Sequence, residues 1–194
     1  MFKNVFLNKL FYLFALVVLC SILGCNEKST KPNNLYYEKG QSLFDQLKID
    51  YSNYFNEPAC IISSNKFPPS DFDFQTIASL HLKIKNTKHL AFQEKMYFSA
   101  FLFESSLNNK IIITQKKLDS LENNKVPFFK WLDDYCNNTG YLSVSNPVFN
   151  EKYNQVIVKI GVVCGPLCGS GVTVYYYWNG KKWIEKEVLG FWVS

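Results

Sequence analysis

The chain contains no arginine: all 21 of its basic residues are lysine. Arginine supplies the planar fork that grips phosphates, carboxylates and guanine edges. Its absence, with a formal charge of only +5, argues against nucleic-acid recognition and removes the usual clamp for anionic substrates. Histidine is scarce as well, with only His81 and His89. Neither has an identifiable triad partner, and a cysteine–histidine nucleophile would need a spatial adjacency that spacing does not provide. Both read as ordinary surface or strand histidines. No internal repeat appears, and no low-complexity block outside residues 26–34.

Long apolar runs are confined to the beginning of the chain. Lys3 and Lys9 make a positive start, and Leu10 to Leu23 follows as 14 residues interrupted only by Ser21. A membrane-spanning helix needs about 20 apolar residues to cross ~30 Å of hydrocarbon, so this run reads as an export signal over residues 1–24. Its end, Ile22-Leu23-Gly24-Cys25, resembles the lipobox of bacterial lipoproteins. The resemblance implies cleavage before Cys25, a diacylglyceryl group on its thiol and acylation of its freed amine. Cys20 is a poor competitor, because Leu19 before it is too large for that position. Several acyl chains together anchor a protein stably without any spanning segment. Asn26, where enteric-type sorting would use Asp to retain a lipoprotein, points to the outer membrane. The expected location is therefore the cell envelope, on the periplasmic or the surface face. Residues 26–34 (NEKSTKPNN) read as a flexible tether, and 35–194 as a single domain. Losing Lys3 and Lys9 lowers the formal charge from +5 to +3, which is mild.

Export implies an oxidising compartment. Beyond Cys25 the chain keeps Cys60, Cys136, Cys164 and Cys168, which allow three pairings. The favoured one joins Cys164 to Cys168 and Cys60 to Cys136, and reduced, buried thiols are the alternative. The chain-entropy model gives about 2 kcal/mol for the short loop and about 4.5 kcal/mol for the long one.

Leu43, Leu47, Tyr51, Tyr54 and Phe55 recur at helical spacing, which predicts a helix over Tyr37–Phe55 stopped before Pro58. Residues 60–74 read as irregular, with Pro68-Pro69 as a breaker. Leu80, Leu82 and Ile84 alternate with His81, Lys83 and Lys85, which suggests a strand, although Thr76–Leu80 fits a helix equally. Met96–Phe103 fits either type, and Asn108-Asn109 is a turn signal. Ile111–Ile113 reads as a short buried strand and Lys116–Glu122 as a short helix. Pro127 opens a clearer helix, with Phe128, Trp131, Leu132 and Tyr135 at i, i+3, i+4 and i+7. From Tyr141 the pattern becomes β: strands over Val156–Val163 and Gly171–Trp178, the Asn179-Gly180 hairpin signal, a return strand over Lys182–Val188, and a last short strand at Phe191–Val193. The fold class expected is α+β, with N-terminal helices and a C-terminal antiparallel β-meander.

The most distinctive stretch is Cys164-Gly-Pro-Leu-Cys-Gly-Ser-Gly171. A zinc site needs a tetrahedral ligand set, and this pair has only two distant histidines to join it. A redox dithiol would prefer Cys-x-x-Cys at a helix N-terminus. A phosphate loop would need a lysine and a following helix. A tight hairpin loop whose glycines supply positive φ is the reading that fits. Asp133 and Asp134 are adjacent on a helix and diverge by about 100°, which suits a solvated face. Asp71 and Asp73 sit beside a helix start, where negative charge is favourable. Spacing favours core packing for Trp131 and Trp183. Trp178 flanks the hairpin turn and is the tryptophan expected to be exposed, as a candidate binding surface. Trp192 belongs to the closing strand.

Residues 131–194 resemble the C-terminal part of a family of uncharacterised bacterial secreted and lipoprotein sequences. The shared elements are a helix with Trp131 and Tyr135, then Gly140, Ser145, Pro147 and Phe149. Cys-Gly-x-x-Cys-Gly-x-Gly follows at Cys164–Gly171, then Asn-Gly-x-x-Trp, and a closing Trp-x-Ser at Trp192–Ser194. The family's usual Gly-Lys-Trp is here Gly180-Lys-Lys-Trp183, one residue longer, which alters the turn. The resemblance implies a shared fold and export, and brings no assigned activity with it.

The function expected is that of a lipid-anchored envelope protein whose domain binds or interacts without catalysis. Its partners would be the membrane, through the N-terminal lipid, and an envelope protein. No cofactor, metal or nucleic acid is expected. The competing readings are an envelope hydrolase with a dispersed site and a structural or accessory subunit of an envelope complex.

Overall fold

The computed structural model describes residues 32–63, 72–94, 107 and 110–194. The expected export signal (residues 1–24), Cys25, residues 26–31, Pro68-Pro69, Asp71, Met96–Phe103 and Asn108-Asn109 lie outside them.

Helix α1 runs from Pro32 to Asp50. Proline suits the first helical position because the N–H it lacks would have no partner there. Pro32, Asn33 and Asn34, expected in the tether, are therefore helical, and residues 32–194 form one compact unit. The single helix expected over Tyr37–Phe55 is instead two. Tyr51 leaves helical geometry at φ −121° and ψ 40°, and α2 (Ser52–Asn56) follows. Tyr36, Leu43, Phe44 and Leu47 form a fully buried stripe on α1, and Phe55 of α2 joins them.

The described sheet has seven strands. They are β1 (Cys60–Ser63), β2 (Ile111–Thr114), β3 (Tyr141–Val144), β4 (Val148–Phe149), β5 (Gln155–Gly165), β6 (Cys168–Trp178) and β7 (Trp183–Val193). The order is β2-β1-β3-β5-β6-β7, and β4 extends β3 along the same edge of β5. β1 is parallel to β2 and β3, whereas β5, β6 and β7 form an antiparallel meander. The fold is α+β, with N-terminal helices and the C-terminal meander expected from the sequence.

Three local readings are corrected. Residues 60–63 form β1 where an irregular segment was expected. Cys60, Ile61 and Ile62 are all buried, on alternate faces, and a strand covered on both sides shows no alternation. Leu80 and Leu82 belong to helix α3 (Phe72–Leu82), not to a strand. Ala78 and Leu82, four apart, face the sheet while Leu80 is 72% exposed. Lys83 ends α3 at φ 52°, and Ile84 N–H donates to Ser79 O at 3.2 Å. That is a Schellman closure, made without the glycine that would announce it. The last two strands expected are one, β7. Its pairing with β6 skips Lys186 and Leu189, two bulges that carry the strand across Gly190.

Helices cover both faces of the sheet. α1 and α2 pack on Ile61, Leu142, Val144, Val156, Val158, Ile160, Val174 and Tyr176. On the opposite face, α5 (Gln115–Asn123) and α6 (Phe128–Tyr135) bury Cys60, Ile62, Ile113 and Tyr141, while α3 buries Val148, Ile157 and Tyr175. Helix α4 (Thr87–Glu94) is tied to β4 through Gln93. Its side chain donates to Phe149 O at 2.9 Å and accepts from Phe149 N–H at 2.7 Å, acting as one more strand edge. Ahead of α4, the N–H groups of Lys85 and Asn86 donate to Glu151 Oε1 at 3.2 and 2.8 Å and hold its carboxyl below the usual range.

The four described cysteines form two disulfides. Cys60–Cys136, both fully buried, joins β1 to the residue after α6 across 76 positions; Cys164–Cys168 closes the β5–β6 connection across four. Removing the long bridge by Cys60→Ala with Cys136→Ala should cost on the order of 4 kcal/mol, about twice the cost of removing the short one. Urea unfolding of the two double variants measures this, and equal midpoints would contradict it. Intact mass should rise by about 4 Da on full reduction, two hydrogens per bridge.

Candidate functional site

The glycine-rich stretch and the closing Trp-x-Ser, far apart in sequence, form one structure. Gly161 on β5 pairs with Gly171 on β6, and Gly171 pairs with Trp192 on β7. Directly paired residues share a face, so the indole of Trp192 lies over these glycines. A methyl group on Gly171 would sit 2.5 Å from Trp192 Nε1; one on Gly161 would sit 2.8 Å from Cζ2, and one on Gly169 2.9 Å from Cζ3. No side chain fits there, so the glycines of this stretch are required by the close approach of Trp192 and not, as expected, by positive φ, which among the described glycines only Gly140 and Gly180 adopt. Ser194 N–H donates to Gly169 O at 3.0 Å and so closes β7 against the start of β6. Trp192 Nε1 is buried and has no hydrogen-bond partner among the described residues. The chain reaches this floor through Cys164–Cys168, whose loop exposes Cys168 and leaves Leu167 87% exposed.

The other end of the hairpin is aromatic. Asn179 Oδ1 accepts from the N–H groups of Lys181 and Lys182, both at 2.9 Å, in a four-residue turn with Gly180 at φ 96°. Trp178 and Trp183 flank it with ring centroids 5.3 Å apart. Trp183 is buried, as spacing suggested. Trp178, the candidate binding surface, is half-buried rather than exposed. Lys39 of α1 places its ammonium 3.6 Å from the centre of the Trp178 ring, and burial lowers the pKa of that lysine. The stacking face is thus occupied from within the chain.

A third cluster carried no sequence signal. Tyr176 O–H donates to Asp50 Oδ2 at 2.9 Å, and Tyr51 O–H donates to Glu185 Oε2 at 2.8 Å. These bonds pin the end of α1 to β6 and β7. Burial first, then the neighbouring carboxylates, push both phenols well above their ordinary range. Tyr36, whose O–H donates to Pro147 O at 3.1 Å, is pushed up by burial in the same way.

The remaining candidates do not converge. His89 Nε2 donates to Phe149 O at 3.0 Å, and its ring meets Tyr153 edge-on. His81 is exposed and faces the edge of Tyr175 at 6.3 Å. Asp134 is exposed and Asp133 half-buried on α6. Asp73 falls in the first turn of α3. Trp131, expected in the core, is half-buried; it stacks on Tyr135 at 4.5 Å with Lys117 5.1 Å from its ring centre. Among the described residues, no group of three or more His, Cys, Asp or Glu is placed to hold a metal ion. No described helix is long and apolar enough to cross a membrane. Compared with known proteins, the chain matches no family model, no curated protein and no solved structure.

Two outcomes are expected. Gly171→Ala must displace Trp192 or Ile160 O, and should cost about 1–3 kcal/mol with a change in tryptophan emission. Gly190→Ala, with nothing within 4 Å, should cost little. Equal stability of the two variants in urea would refute the glycine floor. Five tyrosines, Tyr36, Tyr51, Tyr141, Tyr153 and Tyr176, are held neutral above the ordinary value of 10.0, Tyr141 by burial up to about 12. A raised pKa stabilises the fold fully below the unfolded value and is lost as pH rises through the folded one. Stability should therefore fall steeply above about pH 10, and a flat profile to pH 12 by circular dichroism would contradict the burial of these phenols.

Proposed function

We propose that the chain is a bacterial lipoprotein: exported, cut before Cys25, acylated there and held at the cell envelope, with residues 32–194 serving as a non-catalytic interaction domain. The observation that carries this reading is the cysteine pairing. Of the five cysteines from Cys25 onward, four are consumed by two internal bridges. Cys25 is the odd one, and it is the one in the lipobox-like sequence. Two internal bridges also suit an exported chain, since disulfides persist in oxidising compartments. The outer membrane is the destination favoured by Asn26.

The interaction reading draws support from β7. Val188, Phe191 and Val193 pair with Val174, Val172 and Ser170 and therefore share one face of this strand, 45%, 81% and 76% exposed. Exposed apolar side chains that line up on one face favour contact with an envelope protein partner.

Metabolic labelling with an alkyne palmitate tests the anchor. Wild-type chain should take up the label and partition into detergent and membrane fractions. Cys25→Ser should lose the label and keep the mass of the unprocessed precursor. Equal labelling of the two, or an unlabelled wild type, would end the lipoprotein reading.

A further inference from the structure

We propose that the Cys164–Cys168 bridge is a thiol–disulfide exchange site for an exported dithiol, and that opening it releases Trp192 from its glycine floor. The two disulfides sit in opposite settings. Cys60 and Cys136 are fully buried beneath α5 and α6. Cys168 is exposed and Cys164 half-buried, in a loop where Pro166 and Leu167 are exposed and Gly165 is half-buried. An attacking thiolate needs a clear approach to one sulfur, and access decides which bridge it meets. Here it meets Cys168.

The step balances with a dithiol as reductant. Its thiolate forms a bond to Cys168 Sγ while the Sγ–Sγ bond breaks and Cys164 leaves as thiolate. The reductant's second thiolate then attacks its own sulfur in the mixed disulfide and expels Cys168. Two electrons pass to the cysteines, two protons are taken up by their thiolates, and the reductant ends as a disulfide.

The consequence follows from what lies next to Cys168. Gly165 pairs with Cys168 just beyond a register shift in the β5–β6 ladder, so the bridge braces the last irregular pair. The next residue, Gly169, bonds Ser194 in both directions and lies beneath the Trp192 ring. Unbracing the loop frees Gly169 at the point where β7 is closed, and the indole loses one third of its floor. The exchange reading does not depend on Cys25 being acylated.

The test treats the folded full chain with increasing dithiothreitol, traps thiols with iodoacetamide without denaturant, and maps the label by peptide mass. Tryptophan emission is followed in parallel for wild type and Trp192→Phe. Cys164 and Cys168 should label at least about tenfold faster than Cys60 and Cys136, whose exposure needs the fold to open. Emission should shift with the labelling of this pair, and the shift should vanish in Trp192→Phe. The double variant Cys164→Ser with Cys168→Ser should show the shifted emission without reductant, which keeps the test valid if Trp192→Phe fails to fold. Labelling of all four cysteines together would overturn the proposal. Selective labelling without any change in emission would overturn the release of Trp192.

Discussion

Both faces of β5 carry buried residues, and the architecture follows from the need to cover them. Val156, Val158, Ile160 and Val162 point one way and Ile157 the other, where Lys159 and Gly161 continue the row. A central strand of this kind is stable only between two layers. The aromatic stripe of α1 supplies one. On the other side no single helix serves the whole length, so α3 covers one region, α5 and α6 another, and Trp192 lies flat over the glycines. The buried bridge from Cys60 to Cys136 ties the α5–α6 side to the parallel strands, where the chain between them is longest.

Much of this was legible. The meander showed itself because β-branched residues crowd β5 and β6 and Asn179-Gly180 separates β6 from β7. Of the three cysteine pairings open in an oxidising setting, the favoured one is the one formed. What stayed hidden has physical causes. β1 is short and covered on both faces, so it lacks alternation. The stop of α3 uses Lys83 in a left-handed conformation that sequence assigns to glycine. The bulges of β7 look like an interruption at Gly190, because bulges leave no periodicity to read. The hydrogen bonds from Tyr51 to Glu185 and from Tyr176 to Asp50 join residues more than a hundred positions apart, which spacing cannot anticipate.

Several polar side chains serve the backbone. Gln93 and His89 both reach Phe149 O, Glu151 holds the turn before α4, and Thr139 accepts from Ala59 N–H at 2.7 Å. Lys110 donates to the carbonyls of Asn56 and Pro58 at the end of α2. Such bonds are required wherever loops are drawn against a core, because a buried backbone group without a partner is costly. A chain without arginine meets that demand with amides, lysines and carboxylates.

The bulges of β7 also bear on how this strand can change length. Side chains in a strand alternate, so losing one residue ordinarily flips everything beyond it to the opposite face. Lys186 and Leu189 are exceptions, since neither is counted in the ladder. Deleting either would turn a bulge into regular pairing and leave Trp192 over Gly171. Deleting a paired residue between Trp183 and Trp192 would bring a neighbouring side chain onto the glycines. The strand thus has two places where insertions and deletions are absorbed, and length variation among descendants of this chain should collect there.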